Sequence, residues 1–265
     1  MRQETIKLLN GYLSTYNPIN IFLPQNPNRE TVMKRDATLV LLVLNEIDGL
    51  RQVWSELPLE EFDRVVAVDG GSTDGSREFL TEKNIPILEQ SIAGRGVAFR
   101  VAAEAVDTER LIFYSPDGNE DPADIVRLDD ALLAGADLAI ASRFANGSVN
   151  EETDLERARA RVNKVLTWIA NKTFGQGGYI TDTINGFRAL RRQDLLDLNT
   201  TVKRFPIEYQ ISIRAMQRGW NIAEIATIEG QRAGGETKAI SWPVGKDHLK
   251  VLLTELPYAK WFSHR

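Results

Sequence analysis

From residue 38 onward, short runs rich in leucine and β-branched residues alternate with amphipathic stretches: TLVLLVL at 38–44, RVVAVD at 64–69, IPILEQ at 85–90, RLIFYS at 110–115 and DLAIAS at 137–142. Each run is almost unbroken in its apolar character, which is the pattern of a strand covered on both faces. Parallel strands need long, usually helical crossovers, and the stretches between the runs supply them. The rhythm predicts an α/β fold: a mainly parallel sheet flanked by helices. In such sheets ligands gather beyond the carboxyl ends of the strands. Polar residues stand at those ends: Asn45 and Glu46 after the first run, Asp69 after the second, and residues 115–119 after the fourth.

After Arg143 the rhythm changes. FANGSVNEETD reads as loop, LERARARVNKVLTWIANKTF as a basic amphipathic helix and DTINGFRALRR as a loop entering a strand. PIEYQISIRAMQRG reads as a helix stopped at Gly219, and WNIAEIATI as extended chain. EGQRAGGETKAIS has no apolar periodicity and is expected to be a mobile loop. With no repeat or linker in sight, the expectation is one domain over 37–240, an N-terminal extension over 1–36 and an amphipathic C-terminal tail over 241–265.

The chain of 265 residues carries a net charge of −5, which argues against nucleic acid as a partner, and has no cysteine for disulfide, thiolate or cysteine-zinc chemistry. The first residues lack the apolar core of a secretory signal, and no stretch approaches the roughly 18 apolar residues of a membrane span. A cytoplasmic protein, soluble or peripheral at the inner face of the membrane, is the expectation.

VDGGSTDGS at 68–76 is a strand running into a glycine-rich turn. Gly70, Gly71 and Gly75 let backbone approach a ligand, and Ser72, Thr73 or Asp74 can cap the next helix. A well-capped turn alone would explain it, and the Lys-Ser/Thr pair of a P-loop is missing. SPDG at 115–118 likewise fits a β-turn, with proline second and glycine fourth. The acids Glu120, Asp121 and Asp124 are accounted for as complements to the dipole of a helix that begins near Pro122.

Taken together, LNE at 44–46, VDGGSTDGS, GRGVA at 94–98, SPDGNEDP at 115–122, SRF at 142–144, DTINGFR at 182–188 and RAGGETK at 232–238 resemble the inverting nucleotide-sugar glycosyltransferases of the dolichyl-phosphate mannose synthase type. The resemblance implies a GT-A fold with a mixed acceptor-side half, a GDP- or UDP-hexose donor and a divalent metal, Mg²⁺ or Mn²⁺. By position it implies that Asn45, Glu46, Asp69, Gly71 and Arg95 hold the nucleotide. Asp117 falls on the second aspartate of an Asp-x-Asp metal motif, Ser115 on the first, and Asn119 on a further metal ligand. Arg232 and Lys238 would close on the diphosphate, Arg143 would bind an acceptor phosphate, and Asp182, Arg188 and Glu208 would border the acceptor cleft. Three positions depart from the pattern: Leu42 for a proline, Gly70 for a frequent second aspartate, and Ser115 for an aspartate. Mg²⁺ is commonly held by one or two carboxylates plus substrate phosphates, so Asp117 alone can suffice once a diphosphate is present.

The implied chemistry is one inverting displacement at the anomeric carbon. A polyprenyl phosphate acceptor, with a second pKa of about 6, needs no strong base. A sugar or glycerate hydroxyl would need one, and Asp182 is then the first candidate. A nucleotide-sugar-binding module without catalysis is a third reading, favoured by Ser115. A sugar-phosphate nucleotidyltransferase is a fourth, but LNEIDGL lacks the glycine-arginine-rich cradle such enzymes use. Residues 156–174 and HLKVLLTELPYAKWFSHR at 248–265 join basic and aromatic residues to an apolar face. Such segments suit a membrane interface, and a homo-oligomer contact or packing on the sheet suits them equally.

Overall fold

The structure, a computed structural model, describes residues 34–150, 154–233 and 241–258. In chain order the elements are β1 (Arg35–Val43), α1 (Ile47–Val53), β2 (Phe62–Asp69), α2 (Ser76–Glu82), β3 (Ile87–Glu89), α3 (Arg95–Ala105), β4 (Arg110–Tyr114), α4 (Ala123–Leu133) and β5 (Leu138–Ser142). They continue with β6 (Val149–Asn150), α5 (Asp154–Phe174), β7 (Arg188–Arg191), α6 (Arg192–Asp197), α7 (Ile207–Arg218), β8 (Ile222–Ala226), β9 (Ile228–Glu229) and α8 (Ser241–Glu255).

The unbroken apolar runs follow from burial on two sides. In β1, Val40 and Leu42 enter one core, while Leu39, Leu41 and Val43 enter the other. Successive side chains of a strand point to opposite faces, so a strand buried on both must be apolar throughout. The first core is closed by Phe99 of α3, Leu166 of α5, Ile211 of α7 and Val251 of α8; the second by Leu50 of α1, Leu80 of α2 and Leu128 of α4. Seven strands form the sheet in the order β3-β2-β1-β4-β7-β5-β8. Only β7 runs against its neighbours, β4 and β5. The α/β fold with a mainly parallel sheet and a mixed half is therefore as expected, and α7 ends at Gly219, which takes the left-handed conformation at φ 68°.

Several boundaries differ from the expectation. β1 begins at Arg35, inside the expected extension, because its guanidinium bonds Asp129 and Asp130 of α4 at 2.9 and 2.7 Å. The run at 144–154 contains β6, which pairs with β9; two residues are too few for a period to register. The expected tail is no appendage over its described part. α8 packs on α5 and α7, and its buried Glu255 accepts hydrogen bonds from Arg214 and Gln210, each at 2.7 Å. Residues 1–33 of the expected 1–36 extension and the end of the tail, residues 259–265, lie outside the described residues.

Candidate active site

From β1 the chain passes outward to β2 and β3, then returns to β4 on the other side of β1. That reversal opens a crevice at the carboxyl ends of β1 and β4, the place where a doubly wound sheet binds ligands. A cleft of about 1110 Å³ lies there, slightly above the ~300–1,000 Å³ range of small-molecule sites.

The first two loops are locked to each other by the polar residues of GGSTDGS. Asn45, at φ 52°, donates its N–H to Ser72 Oγ at 2.9 Å, and its Oδ1 accepts the Thr73 N–H at 2.8 Å. The Glu46 N–H reaches Ser76 Oγ at 3.0 Å, and Asp74 accepts from the N–H groups of Ile47 and Ser76, both at 3.0 Å. Asp74, one residue before the cap position Gly75, thus holds the first N–H of α2 and also fixes the start of α1. Gly49 lets α1 lie against the third loop, because a Cβ there would sit 2.2 Å from the Pro116 carbonyl oxygen.

That closeness brings Glu46 and Asp117 under one cation. Arg232 Nη2 bonds both carboxylate oxygens of Glu46 at 2.9 Å, and its Nη1 pairs with Asp117 Oδ2 at 3.1 Å. The loop bearing Arg232 is pinned by two backbone bonds, Gly230 N–H to Asn119 O at 2.9 Å and Ala233 N–H to Asp117 O at 3.0 Å. Residues 229–233 of the expected mobile loop are therefore held in place. Gly118, at φ 87°, permits the approach, since a Cβ would lie 2.8 Å from Ala233 Cβ. Burial raises the pKa of Asp117, and Arg232 partly offsets it.

The donor set fits a divalent ion that shares its shell with a substrate. Asn119 Oδ1 is buried with no hydrogen-bond partner among the described residues, one peptide beyond the Asp117 turn. No group of three His, Cys, Asp or Glu side chains converges as an all-protein cage among the described residues. Asp117 and Asn119 would hold a hard cation only in part, leaving positions for waters or phosphate oxygens.

Two further ion pairs flank the cleft. Arg95, at the start of α3, pairs with Glu208 of α7 and donates to Ser115 Oγ at 3.2 Å. Burial opposes its charge, but Glu208, Glu120 and Asp117 raise its pKa overall. Arg143, just past β5, forks onto Asp182 at 2.7 and 3.1 Å. The Asp182 side chain is 0% exposed and also accepts the N–H groups of Ile184 and Asn185 at 3.2 and 3.0 Å. Burial would raise this carboxyl, but Arg143 and these donors hold it below its usual value.

A model described as glycosyl transferase family 2 matches residues 38–198. The chain belongs to glycosyltransferase family 2. Its relatives include Glycosyltransferase AglJ of Haloferax volcanii, 30% identical over 203 residues that cover 76% of this chain and 65% of AglJ, so the chain spans just under two thirds of that relative. A dolichyl-phosphate hexose transferase of the same organism is 30% identical over 226 residues, 83% of this chain and 95% of the relative. Polyprenol monophosphomannose synthase of Mycolicibacterium smegmatis is 29% identical over 202 residues, 71% of this chain and 74% of the relative. Among solved structures, glucosyl-3-phosphoglycerate synthase from Mycobacterium tuberculosis in complex with Mg²⁺ and uridine diphosphate shares the fold. Its TM-score is 0.68 at 18% identity, over 83% of this chain and 79% of that one.

In this family-2 glycosyltransferase Glu46, Arg95, Ser115, Asp117, Asn119, Arg143, Glu208 and Arg232 line the one cleft. Five expected residues are placed otherwise, the first of them Asn45, which ties the first loop to Ser72 and Thr73 and does not line the cleft. Asp69 is spent within its own turn: its carboxylate accepts from the Gly71 N–H at 2.9 Å, the Ser72 N–H at 3.2 Å and Arg77 at 2.8 Å. Gly71 takes the turn's left-handed φ of 98°, and Gly70, not Gly71, lines the cleft. Arg188 is fully buried and bonds the Glu208 carbonyl at 2.9 Å and Ser212 Oγ at 3.2 Å, so it braces α7 instead of meeting substrate. Burial lowers its pKa to about 10, which leaves it charged at neutral pH. Asp182 is the support of Arg143 and presents no surface to an acceptor. Lys238 lies outside the described residues.

Glu120 is the residue that sequence reasoning missed. It lines the cleft, its Oε2 accepts the Ser115 N–H at 3.1 Å, and burial beside Asp117 pushes its pKa well up. α4 starts only at Ala123, so Glu120 precedes the first turn whose dipole was to explain it; Asp121, accepting from the Ala123 N–H at 2.9 Å, does serve that end.

Proposed function

We propose that this protein transfers a hexose, with inversion, from a nucleoside-diphosphate sugar to a polyprenyl phosphate, with Mg²⁺ or Mn²⁺ bound at Asp117 and Asn119. The observation that carries the reading is the meeting of Asp117, the orphaned Asn119 Oδ1 and Arg232 at the switch point of the sheet. The names of the two polyprenol-linked relatives support the acceptor class. The burial of Asp182 supports it independently: a hydroxyl acceptor would call on that carboxylate as base, whereas a phosphate monoester attacks already ionised.

The bound cation would neutralise charge growing on the departing diphosphate. Arg232, released from Glu46 and Asp117 as the donor enters, would fork onto the same oxygens. Glu46, released from Arg232, would turn its carboxylate toward the donor's sugar hydroxyls. Arg143, held in one orientation by Asp182, would receive the acceptor phosphate and aim its oxygen at the anomeric carbon. Lys238 would add a second positive charge to the diphosphate. Preorganised charges of this kind are worth about 10²–10³ in rate each.

The test is transfer of labelled hexose from GDP- and UDP-sugars to a polyprenyl phosphate and, in parallel, to 3-phosphoglycerate. The reading predicts a lipid-linked product of inverted configuration that depends on added cation. Transfer to the soluble hydroxyl alone would overturn the acceptor assignment.

A further inference from the structure

Resting on that reading of the acceptor, a second surface acquires a use. Between Arg157 and Phe174, α5 carries five bases, Arg157, Arg159, Arg161, Lys164 and Lys172, and no acid, in a chain whose net charge is −5. The helix buries Leu166, Thr167, Ala170 and Phe174 and leaves Val162, Val165 and Trp168 more than half exposed. α8, which packs on α5, leaves Leu249 and Leu253 about as exposed, beside Lys246 and Lys250. Of the ten large apolar side chains exposed among the described residues, half stand on these two neighbouring helices.

An outward face that is apolar at its centre and basic around it is the signature of a helix lying in a lipid headgroup layer. Clusters of four to eight Lys or Arg bind anionic headgroups, each contributing favourably to the total. On α5 the positions 161, 165, 168 and 172 form one stripe, base, valine, tryptophan, base. The acids of α8 do not cancel the charge: Glu255 is buried against Arg214, which leaves Asp247 as the exposed acid among residues 245–257. The face is also continuous with the cleft, because Val162 and Leu249 are half exposed and at the same time line it. No helix of the described residues is long and apolar enough to cross a membrane, so attachment through this face would be interfacial.

We propose that the α5–α8 face docks on an anionic lipid bilayer, with the cleft mouth against the headgroups. A lipid-borne phosphate could then reach Arg143 past Val162 and Leu249 while its chain stays in the bilayer. Trp168, amphipathic and exposed, would sit at the headgroup level.

The experiment is flotation of the full chain with phosphatidylcholine vesicles, with and without phosphatidylglycerol, at low and high salt. Wild type should float with the anionic vesicles, and salt should weaken the binding. Val165→Glu with Trp168→Glu should abolish flotation, and Lys164→Glu with Lys172→Glu should lower partition roughly tenfold or more. These side chains are exposed and do not line the cleft, so a thermal shift by nucleoside diphosphate with Mn²⁺ should persist in every variant. Wild type that stays with the lipid-free fraction overturns the docking proposal, as do variants that float like wild type. Flotation-negative protein that forms a dimer broken by the same substitutions would assign the face to a second copy and likewise refute it. Loss of the nucleotide-dependent shift with flotation intact would instead refute the transferase reading and leave the docking face standing.

Discussion

Arg232→Gln separates the two jobs assigned to this guanidinium. It pairs with Asp117, at 3.1 Å, and Glu46, at 2.9 Å, so a divalent ion at Asp117 competes with it. At an effective dielectric of about 20, unit charges about 4 Å apart attract by about 4 kcal/mol. Arg232 is 26% exposed, and partial desolvation offsets part of the attraction, so its net hold is better set at the about 1.5–3 kcal/mol of a hydrogen bond to a charged group. That is roughly 10- to 100-fold in binding. Calorimetric titration of Mn²⁺ should therefore find weak binding to wild type alone and much tighter binding with nucleoside diphosphate. Arg232→Gln should bind Mn²⁺ alone about 10-fold tighter or more, and nucleotide should enhance it less, because no guanidinium is freed to grip the diphosphate. Unchanged Mn²⁺ affinity without nucleotide, combined with undiminished enhancement by it, would refute the reasoning.

Asp182→Asn should destabilise the fold by about 3–5 kcal/mol, since it breaks a buried pair. The Asp182 pKa is depressed in the folded state, so its contribution is full above the unfolded value near 4 and is lost as pH falls through the folded value; denaturation curves should show the gap between wild type and variant closing in acid. Gly49→Ala forces a methyl group to 2.2 Å from the Pro116 carbonyl oxygen, which should cost about 1–3 kcal/mol in melting experiments and lower Mn²⁺-nucleotide binding by shifting Asp117. Arg143→Lys keeps the charge but loses the fork onto Asp182, and kinetics should show about a 10-fold higher KM for the acceptor with the donor KM little changed.

The fold was legible because its strands are buried on both faces: the alternate residues of 39–43 feed two cores, and the short length and regular recurrence of such runs mark strands and not buried helices. What stayed illegible was what depends on partners distant in the chain. DTINGFR led correctly into a strand, but that β7 would enter antiparallel between β4 and β5 rests on pairings with residues 110–113 and 138–140. Glu46, Asp117 and Arg232 were each identified, yet their shared ion pair links residues 186 positions apart and no spacing announces it. Asp182 and Arg188 carried the chemistry of a site but are buried beneath it, because a charged residue that shapes a cleft has the same composition as one that faces it. Position 120 was the reverse case, an acid discounted as helix decoration although it stood one residue too early for that purpose.

The most direct test is the initial rate of hexose transfer to polyprenyl phosphate by wild type and Asp117→Ala, each with Mn²⁺ and with chelator, at saturating donor. If one carboxylate suffices because the diphosphate completes the shell, chelation and the substitution should each lower the rate by about 10²-fold or more, and applying both should cost little beyond either. Turnover that survives the loss of the Asp117 side chain, or that persists in chelator, would contradict the account.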